Sequence, residues 1–211
     1  MHDRHPELQH FLHTLQAAID DRSAAHSPAR LTVQRIVDAM QATPGQRMSP
    51  EPVIQPCCSL LDGLVEDLSV PATEGSTQAT DALAALIEHA RSLASLAPQL
   101  SWFIRPGAER TGEPFLSGHA NATLVGKGGL EERDDVWIGV SVMRPGVTYP
   151  EHRHLPEEVY VALTPGQWQQ NSGEWHEPGI GGIVHNPPNA LHSMRSGVSP
   201  LLATWCLWKG R

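Results

Sequence analysis

The 211-residue chain holds only three cysteines, Cys57, Cys58 and Cys206, two of them adjacent. That set makes neither a disulfide framework nor a Cys-x-x-Cys motif, so reduced thiols are expected. Runs of Lys or Arg are missing and the formal net charge is -8. A nucleic-acid partner, which clustered basic side chains would hold, is therefore not expected. No apolar stretch approaches the roughly 20 residues that span a bilayer. The polar start, Met1-His2-Asp3-Arg4-His5-Pro6, leads into an amphipathic pattern with no apolar signal core behind it. A cytoplasmic protein without a membrane partner is the expectation. Tyrosine is as scarce as lysine: two occur, Tyr149 and Tyr160, and both fall in one short stretch beside two histidines and a glutamate.

Hydrophobic residues make up 40% of the chain and charged ones 18%, the composition of a globular protein with a sizeable core. The two halves differ in periodicity. Residues 1–100 read as helices, expected to pack on the other half or on a partner subunit. Leu8, Phe11, Leu12, Leu15, Ala18 and Ile19 recur at helical spacing. A second helix is predicted over Ala29–Gln41 until Thr43-Pro44-Gly45 breaks it, and a third from Pro56 to Leu68. The Ala-rich stretch Thr77–Leu96 reads as the strongest, with Thr77 or Ser76 as its cap and Pro98 beyond its end. Residues 101–211 read instead as short strands between Gly/Pro turns: 122–125, 136–143, 158–163, 180–185 and 201–208. An α+β protein follows, with a C-terminal β-sandwich or β-barrel carrying a layer of N-terminal helices. The long apolar stripes are compatible with a homodimer.

The barrel half contains Tyr149-Pro150-Glu151-His152-Arg153-His154-Leu155-Pro156-Glu157-Glu158-Val159-Tyr160, and later His192 after Asn186-Pro187-Pro188-Asn189. Residues two apart on a strand face the same way, so His152 pairs with His154 and Glu158 with Tyr160. A hairpin through Leu155-Pro156 would bring the four together inside the barrel, with His192 arriving from a later strand. Imidazole and carboxylate donors suit one divalent transition metal: zinc, iron, manganese, cobalt or nickel. A polar cluster of this size in a core needs such a purpose to offset its desolvation.

The two segments resemble the paired motifs of the cupin superfamily. The first reads Gly146-x5-His152-x-His154-x3-Glu158, with Gly166 one residue later than the usual closing glycine. The second reads Gly181-x5-Pro187-x-Asn189-x2-His192-x3-Ser196, with Asn189 where glycine is common and Ser196 where asparagine is common. Within the cupins, Tyr-x-x-His-x-His-x3-Glu-x-Tyr with a late His is similar to the dimethylsulfoniopropionate (DMSP) lyases of marine bacteria. The resemblance implies a cupin fold and a metal bound by His152, His154, Glu158 and His192. Family members differ in which of the first two histidines touches the metal. It also implies Tyr160 as general base, with Tyr149 assisting at the substrate. The reaction implied is β-elimination of a small molecule with a carboxylate and a sulfonium, releasing dimethyl sulfide and acrylate. Trp137, Trp175, Trp205 and Trp208 are candidates to face the sulfonium. His176 and His185 are expected outside the ligand set.

Two other readings suit a metal cupin: an iron-dependent oxygenase, and a non-enzymatic regulator sensing metal or ligand. Fold alone does not separate them. Strict dependence on oxygen would mark the oxygenase, and a Cys-x-x-Cys zinc motif in the helical half, which this chain lacks, would favour the regulator.

Overall fold

The computed structural model describes residues 4–61, 63, 64 and 77–210. Helix α1 spans Pro6–Arg22, with proline in its first turn, where a missing N–H costs nothing. Its buried residues are those of the predicted apolar stripe, plus Thr14. Helix α2 spans Pro28–Ala42, opened by Ser27, whose side chain accepts the Arg30 N–H. The expected third helix starts as a 3-10 turn over Pro56–Leu60 and continues at Leu61, Gly63 and Leu64; its remainder to Leu68 lies outside the described residues. Helix α3 spans Thr77–Leu96, the predicted bounds, and the alternative cap Ser76 also lies outside the described residues.

The strands are β1 (Gln46–Arg47), β2 (Trp102–Phe103), β3 (His119–Val125), β4 (Glu131–Glu132), β5 (Val136–Met143), β6 (Thr148–His152), β7 (Glu157–Ala162), β8 (Gln167–Gln170), β9 (Ile183–Asn186), β10 (His192–Arg195) and β11 (Leu201–Trp208). One sheet runs β1-β4-β3-β5-β11-β7-β9, with β2 added on β3, and a smaller one runs β6-β10-β8.

Period-two alternation sorts the large sheet's side chains into two cores. Ile138 and Val140 of β5, Val159 and Val161 of β7, and Leu202 and Cys206 of β11 join the buried residues of α1, α2 and α3. On the opposite face Tyr160, Ala162 and Ala203 meet Tyr149, Trp168 and Met194 of the small sheet. The large sheet is thus covered by helices on one side and by the small sheet on the other. Strands buried on both faces need apolar residues at nearly every position, which is why Val136–Met143 is apolar throughout except at Ser141. Each fully buried large side chain contributes about 1.5–3 kcal/mol.

Two polar ties fix the helices to the sheet. Buried Glu131 receives the Arg4 guanidinium and the Gly45 N–H. Burial alone would raise its pKa, but Arg4 outweighs this and holds it below the usual carboxylate range. In α3, fully buried His89 contacts Thr14 Oγ1 of α1 through Nδ1 at 3.2 Å and Thr204 Oγ1 of β11 through Nε2 at 3.0 Å.

Burial lowers the His89 pKa from 6.5 to about 3. The unfolded chain therefore takes up this proton first as pH falls. Stability from this group is full above pH 6.5 and is lost progressively down to about pH 3. We expect urea unfolding to show a stability loss of up to about 1.4 kcal/mol per pH unit from this source. His89→Gln should remove that share of the slope; an unchanged slope would contradict it.

Candidate metal centre and active site

The four expected ligands come from both sheets. His152 ends β6 and lies opposite His192 at the start of β10. His154 follows in the loop after β6, and Glu158 projects from β7 on the face it shares with Tyr160. The predicted single hairpin is not formed. β6 pairs with β10 whereas β7 pairs with β9 and β11, and the Leu155-Pro156 turn carries the chain from one sheet to the other. Pro156 has no N–H for a ladder, which suits this crossing. The side chains converge all the same, now across the interior.

Each imidazole is held from behind by a backbone carbonyl. Nδ1 of His152 meets Pro150 O at 3.0 Å, that of His154 meets Pro156 O at 2.9 Å, and that of His192 meets Ala190 O at 2.8 Å. A carbonyl accepts only, so each Nδ1 carries a hydrogen and each neutral ring turns an Nε2 lone pair inward. One ligand atom from each of the three lies within 4.8 Å of the others. Glu158 Oε2 sits 3.3 Å from His154 Nε2 and 3.1 Å from His192 Nε2. His192 Nε2 is buried and makes no hydrogen bond, so its contact with the carboxylate is close but not aligned for one.

Lone pairs facing a carboxylate repel unless positive charge lies between them. A proton on His154 is one remedy. Burial would lower its pKa, but hydrogen bonding to Glu158 and that residue's charge raise it. Burial likewise opposes ionisation of Glu158, and His154 and His192 outweigh it, holding the carboxyl below its ordinary range. His152, pushed down to about 3 by burial and then by the charges of His192 and Arg105, stays neutral. The other remedy is a metal ion. Ligand bonds of about 2.0–2.2 Å place neighbouring donors about 2.8–3.6 Å apart, from octahedral to tetrahedral geometry, and the Glu158 contacts at 3.3 and 3.1 Å fall in that span. The donor set therefore fits one divalent transition ion.

Asn186 holds the carboxylate: its Nδ2 donates to Glu158 Oε2 at 3.0 Å, and Gln170 Nε2 donates to Asn186 Oδ1 at 2.5 Å. Sequence reading places Asn186 only in a turn, yet it ends β9 in register with Glu158. The motif departures have local reasons. Asn189 adopts φ +61°, a left-handed conformation that asparagine tolerates better than other non-glycine residues. Ser196 Oγ accepts the Val147 N–H and donates to Arg144 O, closing the turn before β6. At Gly166 a Cβ would come within 2.4 Å of Leu201 Cδ1.

Both tyrosines are buried in the interior cluster. Burial, then the charge of Glu158, raises the Tyr160 pKa well above 10. Burial raises that of Tyr149 to about 12 against the pull of Arg105 and an Asn121 hydrogen bond. The Tyr149 ring lies 5.0 Å from His152 and that of Tyr160 lies 6.4 Å from His192. Of the four candidate tryptophans only Trp205 packs against the interior cluster. Trp137 lies under Lys209, Trp175 under Arg195 and Trp208 under Arg35. Trp168, which sequence reading passes over, is fully buried 6.2 Å from Tyr160. His185 bonds Glu157 at 2.7 Å, and His176 is exposed; neither joins the three-histidine group.

Removing the Asn186 amide frees the Glu158 carboxylate to turn. Asn186→Ala is expected to weaken metal binding about 10- to 100-fold in a chelator competition titration. Affinity equal to that of the unaltered chain would show that Asn186 does not orient the ligand.

No helix among the described residues is long and apolar enough to cross a membrane. Against known proteins, a curated relative from Cereibacter sphaeroides, a putative dimethylsulfoniopropionate lyase DddL, is 27% identical over 97% of this chain and 83% of its own. The dimethylsulfoniopropionate lyase DddQ of Ruegeria pomeroyi is 32% identical over 52% of this chain and 54% of its own. The crystal structure of Ruegeria pomeroyi DddQ superposes with a TM-score of 0.64 at 23% identity, covering 96% of this chain and 91% of that one. The fold is therefore the expected α+β cupin fold with added helices. The profile of the dimethylsulfoniopropionate lyases matches residues 27–203, and with that span the chain belongs to the dimethylsulfoniopropionate lyase family.

Proposed function

We propose that this chain cleaves DMSP to dimethyl sulfide and acrylate by metal-dependent β-elimination. The observation that carries the route is the clustering of His152, His154 and His192, two of them with Nε2 beside Glu158, and Tyr160 two residues along the same strand face. Family membership supports the substrate and the reaction.

The difficult step is removal of a proton next to a carboxylate, because charge builds on a group already anionic. His152, His154, Glu158 and His192 would hold a divalent ion that acts as a Lewis acid toward the substrate carboxylate. Tyr160 takes the α-proton onto its phenolic oxygen. The electron pair left behind forms the carbon–carbon double bond as the carbon–sulfur bond breaks, and the sulfonium departs as neutral dimethyl sulfide. Burial disfavours the Tyr160 phenolate, and Glu158 disfavours it further. The base therefore becomes competent only when positive charge enters the site. Tyr149, facing His152 from the small sheet, assists at the substrate. Trp168 and Trp205 offer aromatic surface to the sulfonium, an attraction of about 0.5–2 kcal/mol. The buried interior excludes bulk water from the developing charge.

Metal-loaded protein should release dimethyl sulfide and acrylate in equal amounts from DMSP under argon. Tyr160→Phe should keep its metal and lose about 10²–10⁴-fold in turnover. Full activity in that variant would remove Tyr160 as base. Turnover only in oxygen would point to the oxygenase reading.

A further inference from the structure

The segment 104–118 covers one side of the interior and brings to it a cation outside the motifs. Arg105 stands at a rim pocket lined also by Gly107, Ala108, Phe115, Pro150 and Glu151. Its guanidinium carbon lies 5.1 Å from the centroid of the Tyr149 ring. Although half-buried, this guanidinium has no side-chain hydrogen bond and no carboxylate partner among the described residues. The nearby acids are engaged elsewhere: Glu151 accepts from Ser172 Oγ at 3.1 Å, and Glu109 lies 3.6 Å from Arg110.

The backbone at Arg105 is fixed with care. Its N–H donates to His119 Nε2 at 3.0 Å, while His119 Nδ1 meets Phe115 O. His119 is buried, and its ring stacks on Phe115 with centroids 3.7 Å apart and planes 4° from parallel. Phe115 in turn meets the Tyr149 ring edge-on at 4.9 Å. A neutral histidine with both nitrogens committed thus braces the loop that presents the cation to Tyr149. The charge reaches the reacting groups, since it acts on Tyr149, His152 and Tyr160.

We propose that Arg105 is a specificity-determining anchor for the substrate carboxylate, accepting it beside the histidine–glutamate centre. A planar guanidinium matches a carboxylate in two parallel hydrogen bonds, and a half-buried one without a counter-ion gains most from an incoming anion. The same charge repels an onium group, so the sulfonium is turned away from Tyr149 and the substrate enters in one orientation. Zwitterions carrying a carboxylate are selected over cations that lack one. The identity of the substrate rests on the lyase reading; the anchor itself requires only a carboxylate ligand.

Calorimetric titration of acrylate, a carboxylate without the onium group, into zinc-loaded full-length protein tests the anchor without turnover. Arg105→Gln should weaken acrylate binding about tenfold or more, with zinc content and melting temperature unchanged. Arg105→Lys should recover part of the loss. High salt should weaken binding to the unaltered protein and much less to Arg105→Gln, a charge signature that a packing role would not produce. Arg105→Met, which keeps the aliphatic contact, serves if the glutamine variant folds poorly. Equal acrylate affinity in the unaltered and charge-free proteins would overturn the proposal, as would absence of acrylate binding altogether. Acrylate binding that depends on Arg105 in a protein unable to release dimethyl sulfide would leave the anchor standing and sink the lyase reading.

Discussion

Three clustered imidazoles pinned through Nδ1 to backbone carbonyls, two of them with Nε2 beside a buried carboxylate, set the terms for the rest of the molecule. Such an arrangement is unfavourable until positive charge joins it. The ring orientations come from the backbone of β6, of the loop after it and of the β10 approach, so the centre is held by the fold rather than by flexible side chains. Preorganisation of this kind spares the site from reordering its ligands at the moment of binding.

The layering explains why the centre can be buried. β7 supplies Val159 and Val161 to the helix-covered core and Glu158 and Tyr160 to the interior. A one-residue slip would exchange these sets, placing the carboxylate among helix side chains and two valines at the site. The helices pin that register from behind: Glu157 at the head of β7 is bonded by Arg35 of α2 and by His185. Stability and chemistry are therefore written on alternate residues of one strand.

Much of this was legible in the sequence because the two periodicities differ so sharply. Thr77–Leu96 and Val136–Met143 are found at their predicted bounds, one from its apolar stripe and the other from an apolar run broken only by Ser141. β8 escaped prediction as a strand because Gln167, Gln169 and Gln170 dilute its apolar pattern, and β6 and β10 were legible only through the spacing of their histidines. The spacing of His152, His154, Glu158 and His192 identified the cluster, but not that it bridges two sheets, since a turn containing proline looks alike within a hairpin and between sheets. Arg105, Asn186, His119 and Trp168 carried no local signal. Each matters through a contact far along the chain, and sequence spacing reports only near neighbours.

The most direct test of the account is anomalous diffraction from crystals of the zinc- or cobalt-loaded protein. One ion is expected about 2.0–2.2 Å from Nε2 of His152, His154 and His192 and from a Glu158 oxygen, with every Nδ1 still on its backbone carbonyl. An ion bound elsewhere, or rings turned to offer Nδ1, would contradict it.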